Sequence, residues 1–171
     1  MKAALSALAA LALACGLSGC AGYRLGEVKP GTLKNVHKVA VVTFKNNTYL
    51  PRIEALVTNT IIKQIQQDGT YQVVSRDQAD AILDGTVVSV GRGPARSVRG
   101  NVLATTEFNL GITVAWTLNG KDGKPLMGPT THSGGTSFFV GSDVATDERQ
   151  ALPLATEDLA VRLVSQLTEG W

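Results

Sequence analysis

The sequence predicts an α+β fold in a single domain, with two helices packed on one face of a mixed or antiparallel sheet of about four to five strands. Three observations carry this. Residues 38–44 (Lys-Val-Ala-Val-Val-Thr-Phe) form a near-continuous β-branched run. Residues 107–118 alternate strictly, with Phe108, Leu110, Ile112, Val114, Trp116 and Leu118 against Glu107, Asn109, Gly111, Thr113, Ala115 and Thr117. Two further stretches, 51–68 and 146–167, carry apolar residues at helical spacing.

The 38–44 run reads as a strand buried on both faces, and Asn46-Asn47-Thr48 turns the chain out of it. Pro51 suits a first helical position. Ile53, Leu56, Val57, Ile61 and Ile65 then make one apolar stripe, and Gly69 stops the helix. Tyr71-Gln72-Val73-Val74 reads as a returning strand, so strand, helix and strand form a crossover unit. Residues 81–90 predict a third strand and 107–118 a fourth, followed by turn chemistry at Asn119-Gly120 and Asp122-Gly123. A last strand falls within 125–140, weakened in the middle by Gly134-Gly135. The second helix buries Leu152, Leu159, Ala160, Leu163 and Leu167, with Pro153 either beginning it or kinking an early turn. The other sheet face is left free to wet or to bind something.

Ahead of this domain, Lys2 precedes an Ala/Leu run that ends at Leu17-Ser18-Gly19-Cys20. The run is too short to span a bilayer. Its small-residue end followed at once by Cys resembles the lipobox of bacterial lipoproteins. That resemblance implies cleavage before Cys20, acylation of the Cys20 thiol and of the new N-terminus, and a tethered protein. It divides the chain into a signal peptide (1–19), a lipidated N-terminus and tether (20–36) and the folded domain (37–171). Ala21 in place of Asp, by the same family rule, assigns the anchor to the outer membrane, on its periplasmic side. Cys15 leaves with the signal, so no disulfide and no cysteine-based metal site is expected. A formal charge of +2 argues against general nucleic-acid binding.

Three segments together resemble the lipopolysaccharide-assembly lipoproteins, the LptE family: Cys20-Ala21-Gly22-Tyr23-Arg24-Leu25, the run from Val39 to Tyr49, and Arg76-Asp77-Gln78-Ala79-Asp80-Ala81-Ile82-Leu83-Asp84-Gly85-Thr86. The order and spacing of these segments carry the likeness. It implies an outer-membrane lipoprotein that plugs an LptD-type β-barrel, helps that barrel assemble, and binds lipopolysaccharide on its way to the outer leaflet. It also implies two helices on a small sheet.

Gly91-Arg92-Gly93-Pro94-Ala95-Arg96 begins like a dinucleotide fingerprint but lacks the third glycine and the following helix. His37 and His132 read as isolated histidines. Asp77, Asp80 and Asp84 read as turn or surface carboxylates, and Glu157-Asp158 as the acidic first turn of a helix. No nucleophile–base pair is recognisable, so neither an enzyme nor a cofactor is expected. The one cluster that points to a ligand is Arg92, Arg96 and Arg99. They are read as unpaired guanidinium groups in a Gly/Pro-bearing loop, suited to the phosphates of lipopolysaccharide. Two alternatives stand beside this reading. One is a structural or regulatory periplasmic lipoprotein acting on an envelope synthase or secretion pore. The other, a lipid-anchored hydrolase, lacks the residues it needs.

Overall fold

The computed structural model describes residues 29–99 and 103–170, with backbone alone at 98, 99 and 103–105. A 3-10 turn at Gly31–Leu33 precedes β1 (Lys38–Val41), β2 (Lys45–Asn46), α1 (Ile53–Asp68), β3 (Gln72–Val73), β4 (Ala81–Arg99), β5 (Leu103–Gly120), β6 (Pro125–Phe139) and α2 (Val144–Glu169). The strands form one sheet in the order β3-β1-β4-β5-β6, with β2 following β1 along the same side of β4. β1 and β3 are parallel, as are β1 and β2 to β4. β4, β5 and β6 form an antiparallel meander. The sheet is therefore mixed and the fold α+β, as expected. Among the described residues it has six strands. The additional one is the two-residue β2, formed where the sequence suggested only a turn.

Each helix is set by its apolar stripe and its caps. In α1, Ile53, Val57, Ile61 and Ile65 are buried at i,i+4 spacing, and Gly69, at φ 79, donates its N–H to the Ile65 carbonyl. Thr58 ties the helix to the sheet: its Oγ1 accepts the Phe44 N–H at 3.0 Å and donates to the Glu54 carbonyl at 2.7 Å. Pro51 lies before the helix, in the turn that ends at Arg52 with φ 67. In α2, the Asp143 side chain caps the N-terminus by accepting the Ala145 N–H at 3.0 Å. Leu152, Ala155, Leu159, Ala160, Leu163 and Leu167 form its buried side. Pro153 lies inside this helix rather than at its start, on an exposed position.

Both helices cover one face of the sheet. Beneath them lie Leu110, Ile112, Val114, Trp116 and Leu118 of β5, each at most 1% exposed, with Ala81, Leu83 and Val87 of β4. Gly134 has a specific role in this packing. A Cβ at that position would stand 2.2 Å from the Leu159 nitrogen and 2.6 Å from the Ala155 carbonyl oxygen. The glycine therefore lets the backbone of α2 rest directly on β6, and does not weaken the strand as the sequence suggested.

Two expectations need correcting. The 38–44 run does not form one doubly buried strand: β1 ends at Val41, and burial is confined to Val39, Ala40 and Phe44. β4 does not end near Val90 but runs to Arg99, while β5 begins at Leu103. Gly91, Gly93 and Pro94 are tolerated because this part of β4 pairs on one side only, so a missing N–H on the other side breaks no ladder bond.

Candidate functional site

The three arginines lie on β4, not in a loop, and two of them, Arg92 and Arg96, are paired. In the register of the meander, Arg92 is opposite Leu110, Arg96 opposite Glu107 and Arg99 opposite Leu103. Leu110 belongs to the helix face, so Arg92 also points that way. There it forms an ion pair with Glu148 near the start of α2 and lies over the Phe108 ring, 5.5 Å from its centroid. Phe108 in turn stacks on Phe138 at 5.8 Å. A register shift between Pro94 and Arg96 then reverses the side on which the next arginine emerges. Arg96 faces Glu107 on the opposite side of the sheet, with Nε 3.8 Å from Oε2 and its side chain 71% exposed. The structure thus separates Arg92 from Arg96 by the thickness of the sheet. Arg99 ends the same strand, and its side chain lies outside the described residues, as does Cys20.

Arg92 and Arg96 differ in what they can offer an anion. Arg92 is committed to a carboxylate and a ring. The pair made by Arg96 is long and largely in water, so it competes weakly with a better-placed phosphate. Glu148 was not foreseeable as the partner of Arg92: the two are 56 residues apart and meet only because α2 folds back over the meander.

The remaining titratable groups have structural explanations. Asp80 accepts the backbone N–H groups of His37 (3.1 Å) and Lys38 (2.9 Å), and these bonds hold its carboxyl below the usual range. Asp84 accepts from Asn119 Nδ2 at 2.8 Å. Asp158 is no first-turn acid. It sits in mid-helix, accepts the Gly135 N–H at 2.9 Å and pairs with Arg162 at 3.0 Å. His132 is not isolated either. The Trp116 Nε1–H donates to its Nδ1 at 2.9 Å, which leaves Nε2 to carry the proton of the neutral ring. Burial, and secondarily the charge of Arg162, push the His132 pKa down. Among the described residues no three His, Cys, Asp or Glu side chains are grouped to hold a metal ion. No described helix is long and apolar enough to cross a membrane.

Sequence reading also missed an apolar surface feature. Tyr49 is fully exposed and Val88, extruded by a bulge in β4, is 47% exposed. Together with Leu50 and Glu148 they border a cleft of about 420 Å³.

Solved structures share this architecture. A minor lipoprotein from Acinetobacter baumannii superposes with a TM-score of 0.54 at 13% identity, covering 80% of this chain and 95% of that one. Lipoprotein B from Nitrosomonas europaea gives 0.55 at 16% identity, over 87% and 92%. PelC from Paraburkholderia phytofirmans, a dodecamer, gives 0.51 at 20% identity, over 82% and 94%. At these identities the likeness shows a common fold. Comparison with curated proteins returns no match. The LptE family, described as lipopolysaccharide-assembly, matches residues 36–167, which take in the whole of the sheet and both helices almost to the end of α2. Because this match spans well over half of the chain, the chain belongs to the LptE family of lipopolysaccharide-assembly lipoproteins.

Proposed function

We propose that this protein is a non-enzymatic, lipid-anchored component of the outer membrane. It plugs and helps assemble an LptD-type β-barrel, and binds lipopolysaccharide as that barrel delivers it to the outer leaflet. The family match over residues 36–167 carries the reading. The lipobox-like Leu17-Ser18-Gly19-Cys20 supports the anchor. Lipopolysaccharide phosphates would be met by the basic end of β4: Arg96 and Arg99 first, with Arg92 joining only where its pair with Glu148 opens. Each such charge-assisted contact is worth about 1.5–3 kcal/mol when partly desolvated and weakens with salt when exposed.

Two measurements test the reading. A titration with lipopolysaccharide at two salt concentrations compares the wild type with the triple variant Arg92→Gln, Arg96→Gln, Arg99→Gln. The variant is expected to bind more weakly and to lose most of the salt dependence. Unchanged affinity in the variant would remove the arginines from the site. For the anchor, Cys20→Ala is expected to abolish incorporation of a fatty-acid probe, and equal labelling would refute lipidation at Cys20.

A further inference from the structure

The side of β4 opposite β5 is paired for only part of its length. β1 holds it at residues 81–83 and β2 at 86–87, and the Asn47 N–H then donates to the Val87 carbonyl at 3.0 Å. There the neighbouring chain is bent away. The Asn46 Oδ1 accepts from the N–H and Oγ1 of Thr48, both at 2.8 Å, while its Nδ2 donates to the Leu50 carbonyl and Glu54 Oε2, both at 2.9 Å. This knot sends the chain into α1, but β4 runs on to Arg99. Among the described residues no strand pairs with this side of β4 beyond Val87.

The vacated edge still has its hydrogen-bonding groups. The Val87 carbonyl faces away from β5. Strand alternation, carried across the bulge at Val88, turns the N–H and C=O of Val90 and Arg92 the same way. Pro94, the next such position, has no N–H and closes the run. Beside these groups lies the 420 Å³ cleft bordered by Thr48, Tyr49, Leu50, Val88, Val90 and Glu148, at the place where a longer β2 would have continued. The opposite edge of the sheet is guarded instead. On β6, Asp158 already occupies the Gly135 N–H, and Pro125 and Pro129 have none to offer.

We infer that residues 89–93 of β4 are a docking edge for one extended, acid-bearing segment of a partner protein, added as a strand in line with β2. The backbone groups supply the ladder, and the cleft takes one apolar side chain between Tyr49 and Val88. Charge selects the acidic partner. Residues 89–99 contain Arg92, Arg96 and Arg99 and no acid, Lys45 is exposed on the adjoining strand, and the carboxylates around the edge are already engaged, Glu148 by Arg92, Glu107 by Arg96 and Glu54 by the Asn46 amide. The inference does not depend on lipopolysaccharide binding.

The test is hydrogen exchange and a binding titration on the full chain with a blocked ten-residue peptide of alternating valine and glutamate. Exchange at the Val90 and Arg92 amides is expected to slow. Methylating alternate peptide nitrogens is expected to weaken binding by about tenfold or more, because ladder bonds are lost while charge is kept. A valine–lysine peptide is expected to fail. Equal affinity for the methylated peptide, protection at β6 rather than at β4, or no protection at millimolar peptide would each overturn the proposal. Backbone methylation has no bearing on phosphate contacts, so this outcome is separable from that of the lipopolysaccharide titration.

Discussion

The two faces of β5 carry the same strand in opposite ways. On one, Leu110, Ile112, Val114, Trp116 and Leu118 are buried beneath the helices. On the other, Asn109, Gly111, Thr113 and Ala115 line up with Ser137, Gly135, Ser133 and Thr131 of β6, and none of these four β5 residues is buried. The first face holds the molecule together through removal of apolar area from water. The second contributes little beyond the ladder and isolated contacts such as Thr113 Oγ1 to Ser133 Oγ at 2.8 Å. The burial that stabilises the fold is thereby concentrated on alternate residues of one strand. A substitution one position along therefore meets a different environment and a different cost.

The sharpest contrast is between neighbours. Ile112→Ala is expected to destabilise by about 2–4 kcal/mol through lost transfer energy and a cavity. Thr113→Ala, on the open face, is expected to cost about 1 kcal/mol or less, since one solvent-accessible hydroxyl pair is lost. Urea melts of both variants check this, and a costlier Thr113→Ala would invert the assignment of faces.

Glycine gives a second contrast with a change of sign. Gly134→Ala would drive a methyl into the backbone of α2 and is expected to cost about 1–3 kcal/mol. Gly111 has nothing within 4 Å of the position a Cβ would take and no positive φ. Gly111→Ala is therefore expected to stabilise by about 0.4–1 kcal/mol by restricting the unfolded chain. Thermal melts showing both variants destabilised alike would mean that the open face is more constrained than its surroundings indicate.

The smallest expected effect is a pH dependence confined to the helix face. The His132 pKa is depressed in the folded state, so the unfolded chain binds the proton more tightly. The neutral ring's contribution is fully present above the ordinary histidine pKa of about 6.5 and is lost as pH falls from there through the folded value. Urea midpoints measured between about pH 7 and pH 5 should fall more steeply for the wild type than for His132→Gln. Parallel curves would remove His132 as the cause.

Much of the architecture was legible because it is written in local periodicity. The alternation of residues 107–118 picks out Leu110, Ile112, Val114, Trp116 and Leu118 as buried, and the helical stripes do so for Ile53, Val57, Ile61 and Ile65 and for Leu159 and Leu163. What escaped depends on contacts distant in sequence. The continuation of β4 past Gly91, Gly93 and Pro94 follows from pairing with β5 on one side and from vacancy on the other, and no local signal records either. The arginines looked like a loop cluster because glycine and proline surround them, and Arg92 and Arg96 looked unpaired because Glu148 and Glu107 reach them only through the fold. Pro153 left open whether it begins the helix or lies in an early turn, and the apolar stripe on either side of it keeps α2 whole around it.

The unequal strand lengths also have a mechanical consequence. Pro30 and Gly170 meet at one end of the molecule, where a Cβ on Gly170 would lie 3.2 Å from the Pro30 Cγ, and the Tyr71 hydroxyl donates to the Leu167 carbonyl at 2.8 Å. From that end β4 runs from Ala81 to Arg99, which at roughly 3.3 Å per residue is about 60 Å of strand, twice the hydrocarbon thickness of a bilayer. With a lipid on Cys20, as proposed, the chain enters the described domain at this end, and the β4–β5 pair becomes a lever whose far end carries the arginines. Shortening that lever by whole register pairs would change how far from the membrane surface its basic end operates while leaving the helix-covered core untouched.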